Sequence, residues 1–187
     1  MIIVVDSTSL AFLINPGANP PIDPNTGESL KFAKERVEFM IASLAANDSL
    51  AIPTPVLAEV LVKAGDGGPE FREQISDLGK VRILPFDEKA AIETAYMTRE
   101  AVAAGDKKGG SYQPWQKVKF DRQIIAIARV AGAAKIYSDD AELTKFAKKI
   151  GMDVVSTWDL PVPEIKEDLL TLLENEAQTV TQPQPEE

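Results

Sequence analysis

The chain alternates short unbroken apolar runs with longer stretches in which apolar residues recur every three or four positions. Ile2–Val5 is a run of β-branched and aliphatic residues, as expected of a strand covered on both faces. Residues 15–29 (NPGANPPIDPNTGES) hold four prolines and two glycines and read as loop. Leu30, Ala33, Val37, Met40, Ile41 and Leu44 then fall at helical spacing, opposite Lys31, Lys34, Glu35 and Glu38. Leu50–Ile52 reads as a second strand. Thr54-Pro55 looks like an N-cap with proline at the first helical position, opening a helix striped by Val56, Leu57, Val60 and Leu61. Glu59 lies one turn inside it, and Gly65–Pro69 stops it.

A helix over 70–78 leads to a third strand, Val81–Leu84, and Asp87 is expected to cap a helix over 88–104. Residues 105–119 read as a long loop, and a helix from Phe120 carries Ile124, Ile127, Ala128 and Ala131 on one face until Gly132. Ala134–Ser138 is the fourth strand. Asp139-Asp140 leads into a helix over 141–150, Gly151 ends it, and Val154-Val155 supplies a fifth strand.

Strands alternating with helices of these lengths imply right-handed βαβ crossovers, hence an α/β fold with a central parallel sheet of about five strands in three α/β/α layers. A domain over 1–160 is expected, followed by an appended C-terminal helix over 161–178 and a disordered tail over 179–187. On such sheets ligands bind outside the C-terminal strand ends, where the strand order reverses.

Composition narrows the chemistry. There is no cysteine and no histidine, which excludes disulfides, Cys/His zinc sites, Cys nucleophiles and Ser-His-Asp triads. Any metal is then a hard cation held by oxygen. The net charge of −9 argues against broad electrostatic binding of nucleic acid but leaves room for a cation-binding acidic site. The N-terminal apolar stretch is too short to span a bilayer and has no basic leader, so a cytoplasmic protein with no membrane partner is expected.

Acidic residues stand where strands end and helices begin: Asp6, Glu59, Asp121 and the pair Asp139-Asp140. Each lies beside an apolar run. Carboxylates gathered at one sheet edge hold Mg²⁺ or Mn²⁺ for phosphodiester chemistry, in which the metal activates water and offsets charge on the phosphate. Each also has a plainer reading: a turn at Asp6, a solvated helix residue at Glu59, a charge at a helix N-terminus for Asp121. At the fourth site, Asp139 with Glu142 fits an N-cap and its reciprocal partner, which leaves Asp140 for the metal; the reverse assignment stays open, and Glu142 is an auxiliary candidate. Ser7, Thr8 and Ser138 are placed to orient water or phosphate, or to satisfy backbone groups at the strand ends. Between Gly105 and Arg122 the charge reverses locally. Lys107, Lys108, Lys117, Lys119 and Arg122 are candidates for phosphate contacts, with Tyr112 and Trp115 for base stacking, on a loop expected to be mobile; the plainer reading is a solvated loop whose Trp115 packs on the core.

Four segments taken together, VVDSTSL, TPVLAEVL, KFDRQIIAIARVAGA and KIYSDDAEL, resemble the PIN-domain ribonucleases, including VapC-like toxins, in order and spacing over about residues 1–156. The resemblance implies that Asp6, Glu59, Asp121 and Asp140 are metal-binding carboxylates of an endoribonuclease. At the fourth site the family has Ser or Thr, any residue, then Asp, which Ser138-Asp139-Asp140 satisfies with Asp140. It further implies RNA as substrate, 5′-phosphate products, an inhibitory antitoxin that inserts into the active-site groove of the toxin members, and homodimerisation. The insertion at 15–29, the basic loop and the C-terminal extension depart from the compact toxin pattern. Two other readings compete: a non-catalytic binding module on this fold, and an Asp-nucleophile phosphotransferase. The second is disfavoured because Thr8 stands where the second Asp belongs.

Overall fold

Five parallel strands form one sheet in the order β3-β2-β1-β4-β5. The computed structural model describes residues 1–14, 18–24, 26–77 and 79–163, with Leu13 and Ile14 as backbone only. The strands are β1 (Ile2–Val5), β2 (Ser49–Pro53), β3 (Val81–Leu84), β4 (Lys135–Tyr137) and β5 (Asp153–Val155). The helices are α1 (Ser7–Ile14), α2 (Ala33–Ala42), α3 (Thr54–Ala64), α4 (Gly68–Asp77), α5 (Glu88–Ala103), α6 (Trp115–Val130) and α7 (Ala141–Lys149). Short 3₁₀ turns cover Gly65–Gly67 and Thr157–Asp159. The architecture is the expected PIN-like three-layer α/β/α arrangement.

The central strand explains the site's position. In β1, Val4 pairs with Ala51 of β2 on one side and with Ile136 of β4 on the other. The chain runs outward from β1 through β2 to β3, then returns to the other side of β1 for β4 and β5. The order therefore reverses between β1 and β4, and their carboxyl ends open the crevice where this class of sheet binds ligands. Ile3, Val4, Val5, Leu50, Ala51, Ile52 and Ile136 are buried, which is why these strands read as apolar runs rather than alternating ones. Ile124 to Ala128 of α6 are all buried as well, so this helix lies deeper than one apolar stripe implied.

Helix ends follow local chemistry. Both α6 and α7 finish in a glycine at positive φ, Gly132 (65°) and Gly151 (78°). In each, the next residue's N–H reaches back five positions, Ala133 to the Ala128 carbonyl and Met152 to the Ala147 carbonyl. That is the Schellman arrangement, and it turns the chain directly into β4 and β5. Asp87 caps α5 through a hydrogen bond from the Ala90 N–H (2.9 Å), as expected.

Four expectations are corrected. The helix α1 was not anticipated, because Ser7-Thr8-Ser9 follow Asp6 as a turn would and the unbroken apolar run after them, LAFLI, shows no helical period. Thr54 does not cap α3: Pro53 holds that place, and the Thr54 hydroxyl accepts the Phe86 N–H (3.0 Å) instead. Next, α6 begins at Trp115 rather than Phe120, because the fixed φ of Pro114 sets up a helical start. Trp115, Lys117 and Lys119 thus belong to a helix and not to a loop. Finally, Asp139 is not the N-cap of α7. Asp140 is, accepting the N–H groups of Glu142 (2.9 Å) and Leu143 (3.0 Å) on its Oδ1.

Within 18–29 the chain closes on itself, with the Asp23 N–H bonded to the Glu28 carbonyl and the Leu30 N–H to the Pro21 carbonyl. The expectations of an appended helix over 161–178 and a disordered tail over 179–187 fall, from residue 164 onward, outside the described residues. Among the described residues no helix is long and apolar enough to cross a membrane.

Candidate active site

The site grows from the ends of β1 and β4. Asp6 follows β1 directly and its N–H is held by the Tyr137 carbonyl of β4 (2.9 Å), which locks the two strand ends together. Its carboxylate is buried. Oδ1 accepts the Ser7 N–H (2.6 Å), and Oδ2 accepts the hydroxyls of Ser138 (2.9 Å) and Thr8 (3.3 Å). Burial pushes the Asp6 carboxyl above its ordinary range, against the Ser138 and Ser7 hydrogen bonds and the nearby Lys117 charge.

Ser138, fully buried, joins Asp6 to the fourth site: its hydroxyl donates to Asp6 and accepts the Asp140 N–H (3.1 Å). Thr8 makes the parallel link, accepting the Asp139 N–H (3.1 Å). The two aspartates then part. Asp139 turns away and holds Thr157 beyond β5, by the backbone N–H (2.6 Å) and the hydroxyl (2.7 Å). Asp140 caps α7 with one oxygen and turns the other, Oδ2, toward α6, where it meets the Lys117 ammonium at 2.6 Å. Burial would raise Asp140, but Lys117 and the α7 N–H groups outweigh it and hold the carboxyl below its ordinary range.

Asp121 reaches the same place from α6. One turn along that helix from Lys117, its Oδ1 lies 2.8 Å from the ammonium. Burial, together with the charges of Asp140 and Asp6, pushes Asp121 up to about 6 in spite of Lys117. Glu59 enters from α3 and is more open, its side chain 37% exposed and paired with Lys63 at 2.8 Å. Partial burial works against it, but hydrogen bonds from Lys63 and Ser7 lower its carboxyl overall.

Asp6, Glu59, Asp121 and Asp140 line one open cavity of about 410 Å³, together with Ser7 and Lys117. Asp139 and Glu142 do not line it. Glu142 faces a smaller cavity of about 100 Å³ on the other flank of α6, beside Lys108, Arg122 and Lys145. Asp121 borders both cavities.

The basic segment is more ordered than its glycines suggested. Asp106 accepts the N–H groups of Lys108 (2.9 Å) and Gly110 (2.6 Å), and these bonds hold its carboxyl below the ordinary range. The Lys108 ammonium donates to the Gln113 carbonyl (3.0 Å). Arg122 is 1% exposed; it donates to the Lys107 carbonyl (2.7 Å) and to Thr98 (3.2 Å), with its guanidinium between the rings of Trp115 and Phe146. It is a strut under the loop, not a surface cation. Lys107 and Lys119 also lie over the Trp115 ring, at 5.2 and 6.0 Å from its centre, whereas Tyr112 is 96% exposed and free to stack. A packing role for Trp115 was the alternative to base stacking, but Arg122 as its partner was not legible in the sequence. Nor was the Lys117 bridge, which an i,i+4 Lys–Asp pair would have signalled had the start of α6 been placed correctly.

The donor set fits a hard divalent cation, since every candidate ligand is a carboxylate oxygen. The Lys117 ammonium is a stand-in positive charge at the point where Asp121 and Asp140 converge. Among the described residues no three carboxylates stand together in a metal-binding arrangement, and two of the four candidates are paired with this lysine.

The raised Asp121 carboxyl has a measurable consequence. Its ordinary value is 3.8, so the folded chain holds this proton more tightly than the unfolded one. The stability it contributes is complete below about pH 4 and lost as pH rises through about 6. In EDTA, Asp121→Asn is therefore expected to gain about 1–3 kcal/mol on the parent between pH 4 and 7, read from urea unfolding. A difference that stays flat over this range would show that Asp121 titrates as a solvated carboxylate.

No protein-family model matches the chain, and no curated protein sequence matches it. Solved structures share its fold. A chain in the structure of FitAB bound to an IR36 DNA fragment is 20% identical with a TM-score of 0.56, over 87% of this chain and 99% of that one. For VapBC-1 from nontypeable Haemophilus influenzae the identity is 16% and the TM-score 0.54, over 84% and 98%. For a toxin-antitoxin complex from Klebsiella pneumoniae they are 15% and 0.51, over 84% and 98%. At these identities the likeness is one of fold, and it extends over nearly the whole of each of those chains.

Proposed function

We propose that this protein is a divalent-metal-dependent endoribonuclease, using Mg²⁺ or Mn²⁺ to hydrolyse RNA phosphodiester bonds. The observation that carries the reading is the convergence of Asp6, Glu59, Asp121 and Asp140, from four separate elements, on one open cavity at the strand-order reversal. These four residues are the cation's ligands in this reading. When bound, the cation lowers the pKa of water and offsets charge on the phosphate.

The chain's own residues do the rest. Ser138 and Thr8 hold the buried Asp6 carboxylate in place, and the α7 N-terminus fixes Asp140. Lys107 and Lys119, gathered over the Trp115 ring, and the exposed Tyr112 offer phosphate contacts and a stacking surface away from the cleft lining; neither contact selects strongly for sequence. The likeness to VapBC-1 and to the Klebsiella toxin-antitoxin complex supports a role as the toxin of such a pair, restrained by an antitoxin protein that covers the acidic cleft.

Incubation of the purified chain with a mixed RNA pool tests the reading. Cleavage is expected with Mg²⁺ or Mn²⁺ and none in EDTA, with 5′-phosphate ends on the products. Cleavage that persists in EDTA would overturn the metal role. A protein that neither cuts nor gains melting temperature with either metal would be a binding module.

A further inference from the structure

We infer that Lys117 is a built-in occupant of the cation position, and that its ammonium must leave Asp121 and Asp140 before a divalent ion can take their oxygens. The inference rests on the reading of this cleft as a metal site and adds to it a threshold: cation binding competes with an internal ion pair.

Three observations carry it. First, the ammonium lies 2.8 Å from Asp121 Oδ1 and 2.6 Å from Asp140 Oδ2, bridging carboxylates that come from different elements. Second, Asp140 has no other oxygen to offer. Its Oδ1 accepts two N–H groups of α7, so a metal ion and the ammonium would have to share Oδ2, where like charges at hydrogen-bond distance repel. Third, the exchange has a path. The Lys117 side chain is 41% exposed, so it swings into solvent by rotation about its own bonds while Asp121 stays anchored on the same helix. Lys63, the other lysine of the cleft, makes only a surface pair with Glu59 and bridges nothing.

The competition gives the protein two charge-balanced arrangements. With the lysine inward, the crowded carboxylates are offset and the fold is not destabilised by their repulsion. With a divalent ion in its place, the displaced amino group stands at the edge of the cleft. Apparent cation affinity is therefore set by the difference between the two arrangements rather than by the carboxylates alone.

The test compares Mn²⁺ affinity, by electron paramagnetic resonance or calorimetry, in the full chain, in Lys117→Met and in Lys119→Met. Lys119 lies on the same helix but touches neither aspartate, so its removal reports the general effect of losing one positive charge. Lys117→Met is expected to tighten Mn²⁺ binding about tenfold or more and Lys119→Met by less than about threefold. In the full chain, the ¹⁵N resonance of the Lys117 ammonium, sharp when salt-bridged, is expected to vanish as Mg²⁺ saturates the site. Equal affinities in the two variants, or an ammonium signal that survives saturation, would overturn the inference while leaving the metal site standing. Failure of all three proteins to bind either cation would remove the metal site and the inference with it.

Discussion

Asp6→Asn is expected to lower RNA cleavage by about 10²- to 10⁴-fold while leaving the protein folded. The amide has the shape of the carboxylate and can still accept the Ser7 N–H, and the Ser138 and Thr8 hydroxyls can rotate to meet its NH₂. Burial already disfavours the charged form of Asp6, so removing that charge relieves the fold rather than straining it. What disappears is a buried carboxylate held by three donors at the junction of β1 and β4, the least adjustable of the four proposed ligands. Glu59→Gln makes the contrast: its side chain is more exposed and held by Lys63 and Ser7 at the open edge of the cleft, so about a tenfold loss is expected. Single-turnover cleavage, with circular dichroism melts of each variant, separates lost chemistry from lost structure. Equal losses at the two positions would remove the ranking by burial, and full activity in Asp6→Asn would end the reading of this carboxylate as a ligand.

The second large effect is on stability. Arg122→Ala is expected to cost about 2–4 kcal/mol, because a fully buried guanidinium is removed together with its partners' satisfaction. The Lys107 carbonyl and the Thr98 hydroxyl lose their donors, and the rings of Trp115 and Phe146 lose the group packed between them. Burial lowers the Arg122 pKa, yet a guanidinium stays charged throughout the working range, so the loss should not depend on pH between about 5 and 9. Arg122→Lys keeps the charge without the planar fork and should fall between the two. Urea unfolding gives the energy, and limited proteolysis should show cutting within 105–114 in the alanine variant first. A change under about 0.5 kcal/mol would show that the loop is held without this strut.

Much of this architecture is legible in the residues. The apolar runs of β1, β2 and β4 locate the centre of the sheet, and Gly132 and Gly151 mark helix ends whose Schellman turns the structure shows. The order of strands and helices was enough to bring Asp6 and Asp140 to adjacent strand ends. What escaped was set by contacts that single-residue preferences do not encode. Asp139 and Asp140 are chemically identical neighbours, told apart by distant partners: Thr157, across the β5 turn, takes Asp139, while Asp140 caps α7 and meets Lys117. In α6, the proline that starts the helix sits among glycines, lysines and polar residues, so the first turn and a half looked like loop. That shift of five residues hid the Lys117–Asp121 pair, and with it the most specific feature of the cleft. Helix α1 escaped for a different reason: its polar residues come first and its apolar ones follow in one run, and so there is no period to read.

Trp115, Lys117, Asp121 and Arg122 lie within two turns of a single helix. The residues that brace the basic loop and the residues that shape the acidic cleft therefore share one rigid rod, and a tilt of that rod moves both. Over evolutionary time such a linkage restricts which changes are tolerated. Substitutions that re-aim the loop from its root would disturb the carboxylates as well, so diversification of what the loop contacts is channelled to its tip. Under the proposed function, Tyr112, almost wholly exposed and past the last of the loop's glycines, is where a descendant of this sequence can change its choice of target without touching its chemistry.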